Sequence, residues 1–336
     1  MLNARKIRVL ILAAFSIMIV FRNYVIVIGQ APRPVLVALN KADSTLAVID
    51  PLTMKVTGTV ATGNSPHEVV LSADGLTAYV ANYGPSGAPG SSFSMIDTAA
   101  VKEIRKVDLS PLMRPHGLLM IGGKLYFTAE SNRAISRYDP AVNKVDWIMG
   151  TGQNGSHMVV GTADQKRFYT ANIGSDSVSA FEFNGVPPAA SKITHIGIGV
   201  QPEAIDLSPD GLEVWAGLNV EGAIDIVDTA TNKFKEKVKI NGRPYRVKFT
   251  PDGKRVIGSM VATRELLVID AATRKEVRRI KLDGVPLGVV FSADSKTVFV
   301  SMNEPDAVIK LDLESGQIKG RAEIGKGPDG IALAGI

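Results

Sequence analysis

From residue 33 to the C-terminus the chain is written in short runs of alternating apolar and polar positions, each about six residues long and closed by Gly, Pro, Asn or Asp. A two-residue period bounded by turn formers predicts β-strands. LTAYVAN, RFYTAN, LEVWAG and TVFVS are β-rich runs of one kind; LAVIDP, FSMIDT, AISRYDP, AIDIVDT, LLVIDA and VIKLDL are a second kind, ending in Ile-Asp, Tyr-Asp, Val-Asp or Leu-Asp. A third, polar kind follows (KVTGTVATG, KEVRRIKLDG) and leads through a proline into a fourth short run.

These runs recur in a fixed order. The turns SADG (72–75), SPDG (208–211), TPDG (250–253) and SADS (292–295) each separate two apolar strands, with GTADQ (161–165) and IGG (121–123) as variants. Taking Ala31, Ala73, Ile121, Ala163, Pro209, Pro251, Ala293 and Gly335 as equivalent, the steps are 42, 48, 42, 46, 42, 42 and 42 residues. Four strands per unit in seven units predict an all-β, seven-bladed β-propeller of four-stranded antiparallel blades filling residues 32–336 as a single domain. The chain begins on a second strand (VLVALN) and ends on a first (PDGIALA), so the last strand is expected to complete the blade begun by the first and close the ring. A closed ring predicts a monomer.

The YVAN (79–82) and YTAN (169–172) runs, the Asp-Gly turns before them and the Val-Ile-Asp strands after them resemble the YVTN-repeat (YncE-like) seven-bladed β-propellers, a family related to the lactonase-like propellers. The resemblance spans roughly residues 33–335 and implies the fold. The motifs are the turns and core of a blade and carry no chemistry of their own, because one fold hosts many functions.

Residues 1–31 are of another character. Arg5, Lys6 and Arg8 precede the apolar run 9–21, and Gly29-Gln30-Ala31 offers a small-residue exit, a pattern that predicts a cleaved signal peptide and a periplasmic or extracellular location. Thirteen apolar residues are too few for a stable span. The formal charge of +5 lies mostly here: four of the 38 Lys and Arg precede residue 31 and no Asp or Glu does, leaving 34 against 33 in the remainder. A nucleic-acid partner is therefore not expected, and the cation-rich runs 233–240 and 274–282 read as the wet face of outer strands. With no cysteine, the chain has no disulfide, thiolate ligand or covalent haem. No GxSxG, Walker, HExxH or EF-hand pattern is present, so neither nucleotide nor haem is expected as cofactor.

Chemistry concentrates at one repeat position. The residue after the repeat proline is His67, His116, His157 (where Ser156 replaces the proline), Glu203, Tyr245, Leu287 and Asp329 around the ring. Three of the four histidines thus fall on three consecutive blades, at the mouth where first strands begin and second strands end. Neutral imidazoles are suitable ligands for one divalent metal ion, and His67, His116 and His157 are its candidate ligands. The same mouth is expected to collect Asn82, Glu130 and Asn172 from strand ends, Arg114 and Arg243 from the position before the proline, and the insertions 83–92 and 109–115. These residues predict a site for a small, anionic molecule, with Asn82, Arg114, Asn172, Arg243 and Tyr245 as binding groups.

An enzyme at the same mouth, a lactone hydrolase or metal-assisted lyase with Glu130, Glu203 or His116 in acid–base roles, is the alternative. A scaffold docking a protein or polysaccharide is the other. One difficulty stands against all site readings: on the strand HEVVL, His67 has the parity of Val69 and Leu71, which should pack between blades. Asp206 and Lys248, on equivalent places of adjacent first strands, predict a salt bridge in the channel. The Ile-Asp aspartates (Asp50, Asp97, Asp139, Asp228, Asp270 and Asp312) predict turn caps, and His195, outside the repeat position, is read as structural.

Overall fold

The computed structural model describes residues 33–336; the expected signal peptide over 1–31 lies outside them. The described chain forms seven four-stranded sheets with all neighbouring strands antiparallel. Six blades run in sequence from the centre outward, starting at the innermost strands Pro66–Leu71, Pro115–Ile121, Ser156–Gly161, Pro202–Leu207, Pro244–Phe249 and Val285–Phe291. In the seventh, Pro328–Ala334 is innermost and pairs with Val35–Asn40, Val35 opposite Ala334 and Asn40 opposite Pro328. The predicted closure is therefore present, and it joins the two ends of the propeller without an open edge on the inner strands. Among the described residues no helix is long and apolar enough to cross a membrane.

The repeat grammar has a local cause at each turn. Ser72 Oγ donates to Asp74 Oδ1 (2.6 Å), the same carboxylate oxygen accepts Leu76 N–H (3.0 Å), and Gly75 takes a φ of 74° that disfavours any side chain. Ser208 with Asp210, Thr250 with Asp252 and Ser292 with Asp294 repeat the pair. The Ile-Asp aspartates cap the next turn as expected: Asp50 Oδ1 accepts Leu52 N–H, Asp228 accepts Thr231 N–H and Asp270 accepts Thr273 N–H. Between blades the apolar faces interlock, with Phe93 edge-on to Phe127 across the first and second blades (4.8 Å) and Trp215 edge-on to Phe249 across the fourth and fifth (5.3 Å).

The cation-rich segments are outermost strands whose charges meet carboxylates. Lys235 pairs with Glu213 at 2.7 Å, and Arg274 with Glu236 at 2.9 Å. His195 lies on the outermost strand Ser191–Gly197, with Nδ1 2.9 Å from Ser179 Oγ, a structural role.

Candidate functional site

The parity difficulty has a geometric answer. In every blade the pairing of the two innermost strands slips by one residue just after the repeat proline. In the first blade Pro66 opposes Asn82 and Glu68 opposes Ala81, so His67 has no partner and forms a β-bulge. A bulge adds one residue to one strand and re-aims its side chain. The seven bulges thus lift His67, His116, His157, Glu203, Tyr245, Leu287 and Asp329 out of the apolar alternation at one mouth. A left-handed residue commonly precedes the bulge: Ser65, Arg114, Gly155, Gln201 and Gly327 have φ between 48° and 65°.

The three histidines meet. His116 and His157 lie ring on ring, centroids 3.6 Å apart and planes 31° from parallel, and a hydrogen bond of 3.2 Å joins His116 Nε2 and His67 Nδ1. Tyr83, the first residue of the inserted loop, packs against both His67 (4.4 Å) and His116 (5.3 Å). Its hydroxyl donates to Glu130 Oε2 at 3.1 Å, and the same oxygen lies 3.1 Å from His157 Nδ1. Arg114 lies over the Tyr83 ring (4.6 Å) and donates from Nη2 to Ser86 O at 2.9 Å, holding the inserted loop against the mouth. On the other side Asp329 is buried, accepts Tyr245 Oη–H at 2.7 Å, and has its second oxygen 3.6 Å from Lys41 Nζ and 3.7 Å from His67 Nδ1.

Close approach of the blades is what brings the bulges together. Glycine follows the bulge residue in three blades, and a Cβ at Gly117, Gly288 or Gly330 would stand 2.6–2.7 Å from the carbonyl oxygen of His157, Asp329 or His67 on the next innermost strand. These are steric requirements of the site, not of the backbone angles.

The electrostatics keep the His67 and His116 imidazoles uncharged. Burial drives the His67 ring down to about 3, reinforced by Lys41, His157, Arg246 and Arg114. His116, 2% exposed, falls well below 6.5 through burial and the neighbouring rings and cations. Burial would raise Glu130, but hydrogen bonds from His157 and Tyr83 and the charge of Arg114 outweigh it and leave the carboxyl below its usual value. His116 Nδ1 is buried with no hydrogen-bond partner. A buried polar atom without a partner costs about 1–3 kcal/mol and marks a place for a missing group.

A pH dependence follows. Below 6.5 the unfolded chain protonates His67 and His116 while the folded protein does not, so stability present above 6.5 is lost as pH falls toward the folded values. Each ring contributes about 1.4 kcal/mol per pH unit, hence about 2 kcal/mol between pH 6.5 and 5. Urea denaturation at pH 7.5, 6.5 and 5 should show a plateau and then a fall, and a His67→Gln/His116→Gln variant should flatten the fall; an equal slope in both proteins would contradict the burial argument.

Behind the bulges Glu68, from the first blade, meets Arg246, from the fifth, across the channel. Their side chains are 12% and 6% exposed. Deeper still, Lys248 Nζ donates to Asp206 Oδ1 (3.2 Å), the channel salt bridge expected from the repeat.

The structure places the sequence candidates unevenly. His67, His116, His157, Glu130, Arg114, Tyr245 and Asp329 are gathered at the mouth. Glu203 is partly exposed on the fourth bulge and acts on Arg246 through its charge. Arg243 is exposed and forms no ion pair among the described residues. Asn82 and Asn172, expected as binding groups, are buried at the mouth with their amides bonded to neighbouring residues. Asn82 accepts Gly63 N–H and donates to Ser92 and Ser94, and Asn172 is bonded to Ser156, Ser177 and Ser179. Among the described residues no three His, Asp or Glu side chains are arranged to hold a metal ion. Tyr83, Lys41, Glu68 and Arg246 escaped the sequence reading. The last two stand directly after a bulge position, and their charge within an apolar strand was the available signal.

Known structures share the architecture. Hydrazine synthase of Kuenenia stuttgartiensis is 20% identical over 80% of this chain and 89% of its own, with a TM-score of 0.67. A candidate 6-phosphogluconolactonase of Bacteroides uniformis is 13% identical, with 89% and 99% covered and a TM-score of 0.73. The dihydro-heme d1 dehydrogenase NirN, in complex with DHE, is 14% identical, with 91% and 78% covered and a TM-score of 0.64. At such identities these similarities speak for the fold alone. No curated protein matches the chain. The model of the YNCE-like beta-propeller family matches residues 119–294, more than half of the chain, and with the seven bulged blades it identifies this protein as a member of the YNCE-like beta-propeller family.

Proposed function

We propose that this protein is an exported propeller that binds a small, anionic molecule at the mouth formed by its histidine bulges. The observation that carries the reading is the convergence of three imidazoles, those of His67 and His116 held uncharged, where Lys41 and Arg246 act on both of these rings, and Arg114 on His67, as nearby positive charge. The neutral rings of His67 and His116 supply hydrogen-bond donors and acceptors at a smaller desolvation cost than charged ones would, and the cations favour negative charge on the ligand. The unpartnered His116 Nδ1 is one group such a ligand, or a water it carries, would satisfy. Export rests on the basic, then apolar, N-terminal pattern.

Thermal melting of the full chain against inorganic phosphate and a series of mono- and dicarboxylates tests the reading. One class should raise the melting temperature, since ligand at a hundredfold excess over its Kd adds about 2.7 kcal/mol. Arg114→Gln and His157→Gln should abolish the rise. No shift with any anion, or an equal shift in the variants, would defeat it. Elemental analysis of the same preparations separates direct binding from binding through a metal: near-stoichiometric metal, lost in a His67→Ala/His116→Ala/His157→Ala variant, would make the imidazoles ligands of an ion after rearrangement of the stacked pair.

A second reading, a hydrolase or lyase at this mouth, is favoured by one arrangement. Glu130 holds His157 through Nδ1 and leaves Nε2 without a protein partner, the relation of a general base to the carboxylate that orients it. Lactone hydrolysis lost in both His157→Gln and Glu130→Gln would support it.

A further inference from the structure

Beyond the Glu68–Arg246 pair the channel opens again toward the opposite face, the one framed by the Asp-Gly turns. A cavity of about 980 Å³ begins at Glu68 and Arg246 and extends to Ser72–Ala73, Thr162–Asp164 and Ser208–Gly211. All seven innermost strands contribute to its wall, and none of the seven bulge residues does. It is thus a compartment distinct from the histidine mouth, with a buried ion pair as the partition. Its volume lies at the upper end of the range that holds drug-sized ligands.

The wall has a definite chemistry. Val70, Met120, Met158, Leu207, Val290 and Leu333 are apolar residues of the innermost strands left only partly buried along the cavity. Against them stands the Lys248–Asp206 pair. Asp206 is committed on both oxygens, Oδ1 to Lys248 Nζ at 3.2 Å and Oδ2 to Phe249 N–H at 2.8 Å. Lys248 is not: its ammonium carries three donors, Asp206 takes one, and the side chain is 37% exposed. The rim carboxylates Asp164 and Asp210 are held in their own turns by Thr162 with Lys166 N–H and by Ser208 with Leu212 N–H. The cavity therefore offers an apolar length with spare cationic donors on Lys248 partway along it and on Arg167, whose Nη1 donates to Thr229 O, at the rim.

We propose that the turn-face half of the channel is a second binding site, independent of the histidine mouth, that takes an amphiphilic carboxylate. Its apolar body lies along the inner strands and its carboxylate accepts the free donors of Lys248. Strands closed in a ring supply a rigid wall, so little ordering opposes binding.

Calorimetric titration of the full chain with decanoate tests this. Saturable binding at one site in the turn-face cavity is expected, weakened at least tenfold in Lys248→Met and retained in Lys248→Arg. Leu207→Trp should fill the cavity and abolish binding, with Val290→Phe as a milder filling if the first fails to fold. Arg114→Gln and His157→Gln should remove any decanoate held at the histidine mouth and leave the Lys248-dependent site unchanged, so failure here and failure of the histidine-mouth reading are read separately. Absence of saturable heat, or binding that survives the filled cavity, would overturn the proposal and leave the compartment as a solvent channel.

Discussion

Arg246→Met is expected to destabilise the propeller by about 3–5 kcal/mol, the cost of leaving a buried partner charge unpaired. Arg246 meets Glu68 across the channel, lies over the Tyr245 ring at 4.4 Å and stands 3.8 Å from Asp329 Oδ1. Burial already raises the Glu68 carboxyl, and Arg246 is the main opposing influence. Without the guanidinium, Glu68 rises further. A carboxyl raised in the folded state contributes its stability in full below its unfolded value of 4.5 and loses it as pH rises through the folded value.

The deficit of the variant relative to the parent should accordingly be largest near pH 7.5 and shrink toward pH 5. Arg246 also lowers His67 and His116, so its removal lets both rings rise, softens their loss of stability at low pH and shrinks the deficit in the same direction. Glu68→Gln added to Arg246→Met should restore most of the loss. Urea denaturation of the three proteins at the two pH values decides it: a deficit below about 1 kcal/mol, or one independent of pH, would mean that water reaches the pair and solvates both charges.

The fold was legible because each repeated residue has a repeated local task. Asp74, Asp210 and Asp252 close the same turn, and Asp50, Asp228 and Asp270 cap the next, so a reader of the turns recovers the blades. The gathering of three histidines was legible for the same reason, as one repeat position on consecutive blades. Their orientation was not. Parity along HEVVL sends His67 into the blade interface, and only the pairing of Pro66 with Asn82 and of Glu68 with Ala81 reveals the extra residue that frees it.

A bulge belongs to two strands, and a one-strand pattern does not contain it. The partners of Asn82 and Asn172 were hidden for the same reason: both residues end strands at the mouth, and their amides donate to serines of the neighbouring strand. The Glu68–Arg246 pair spans 178 residues and exists only once the ring is closed.

Gly117→Ala is expected to damage the site more than any conservative change to the histidines themselves. The added Cβ would stand 2.7 Å from His157 O, 2.7 Å from Met158 Cα and 2.8 Å from Val159 N, all backbone atoms of the next innermost strand. Flexible side chains can step aside; a strand held in a closed ring cannot do so without moving its blade, and overpacking of this kind costs about 1–3 kcal/mol. Two hydrogen bonds run through the same contact, Gly117 N–H to Thr128 Oγ1 at 2.9 Å and Thr128 Oγ1–H to His157 O at 2.7 Å. Separating the second and third blades lengthens the second of these, which crosses between them, and pulls His116 from its stack on His157. The variant should therefore lose the anion-dependent rise in melting temperature together with its stability. Gly87→Ala is the control, because a Cβ there meets nothing within 4 Å. If Gly117→Ala melts and binds like the parent, the blades have slack at their inner edge, and the histidines would be held by their own contacts rather than by the approach of the strands beneath them.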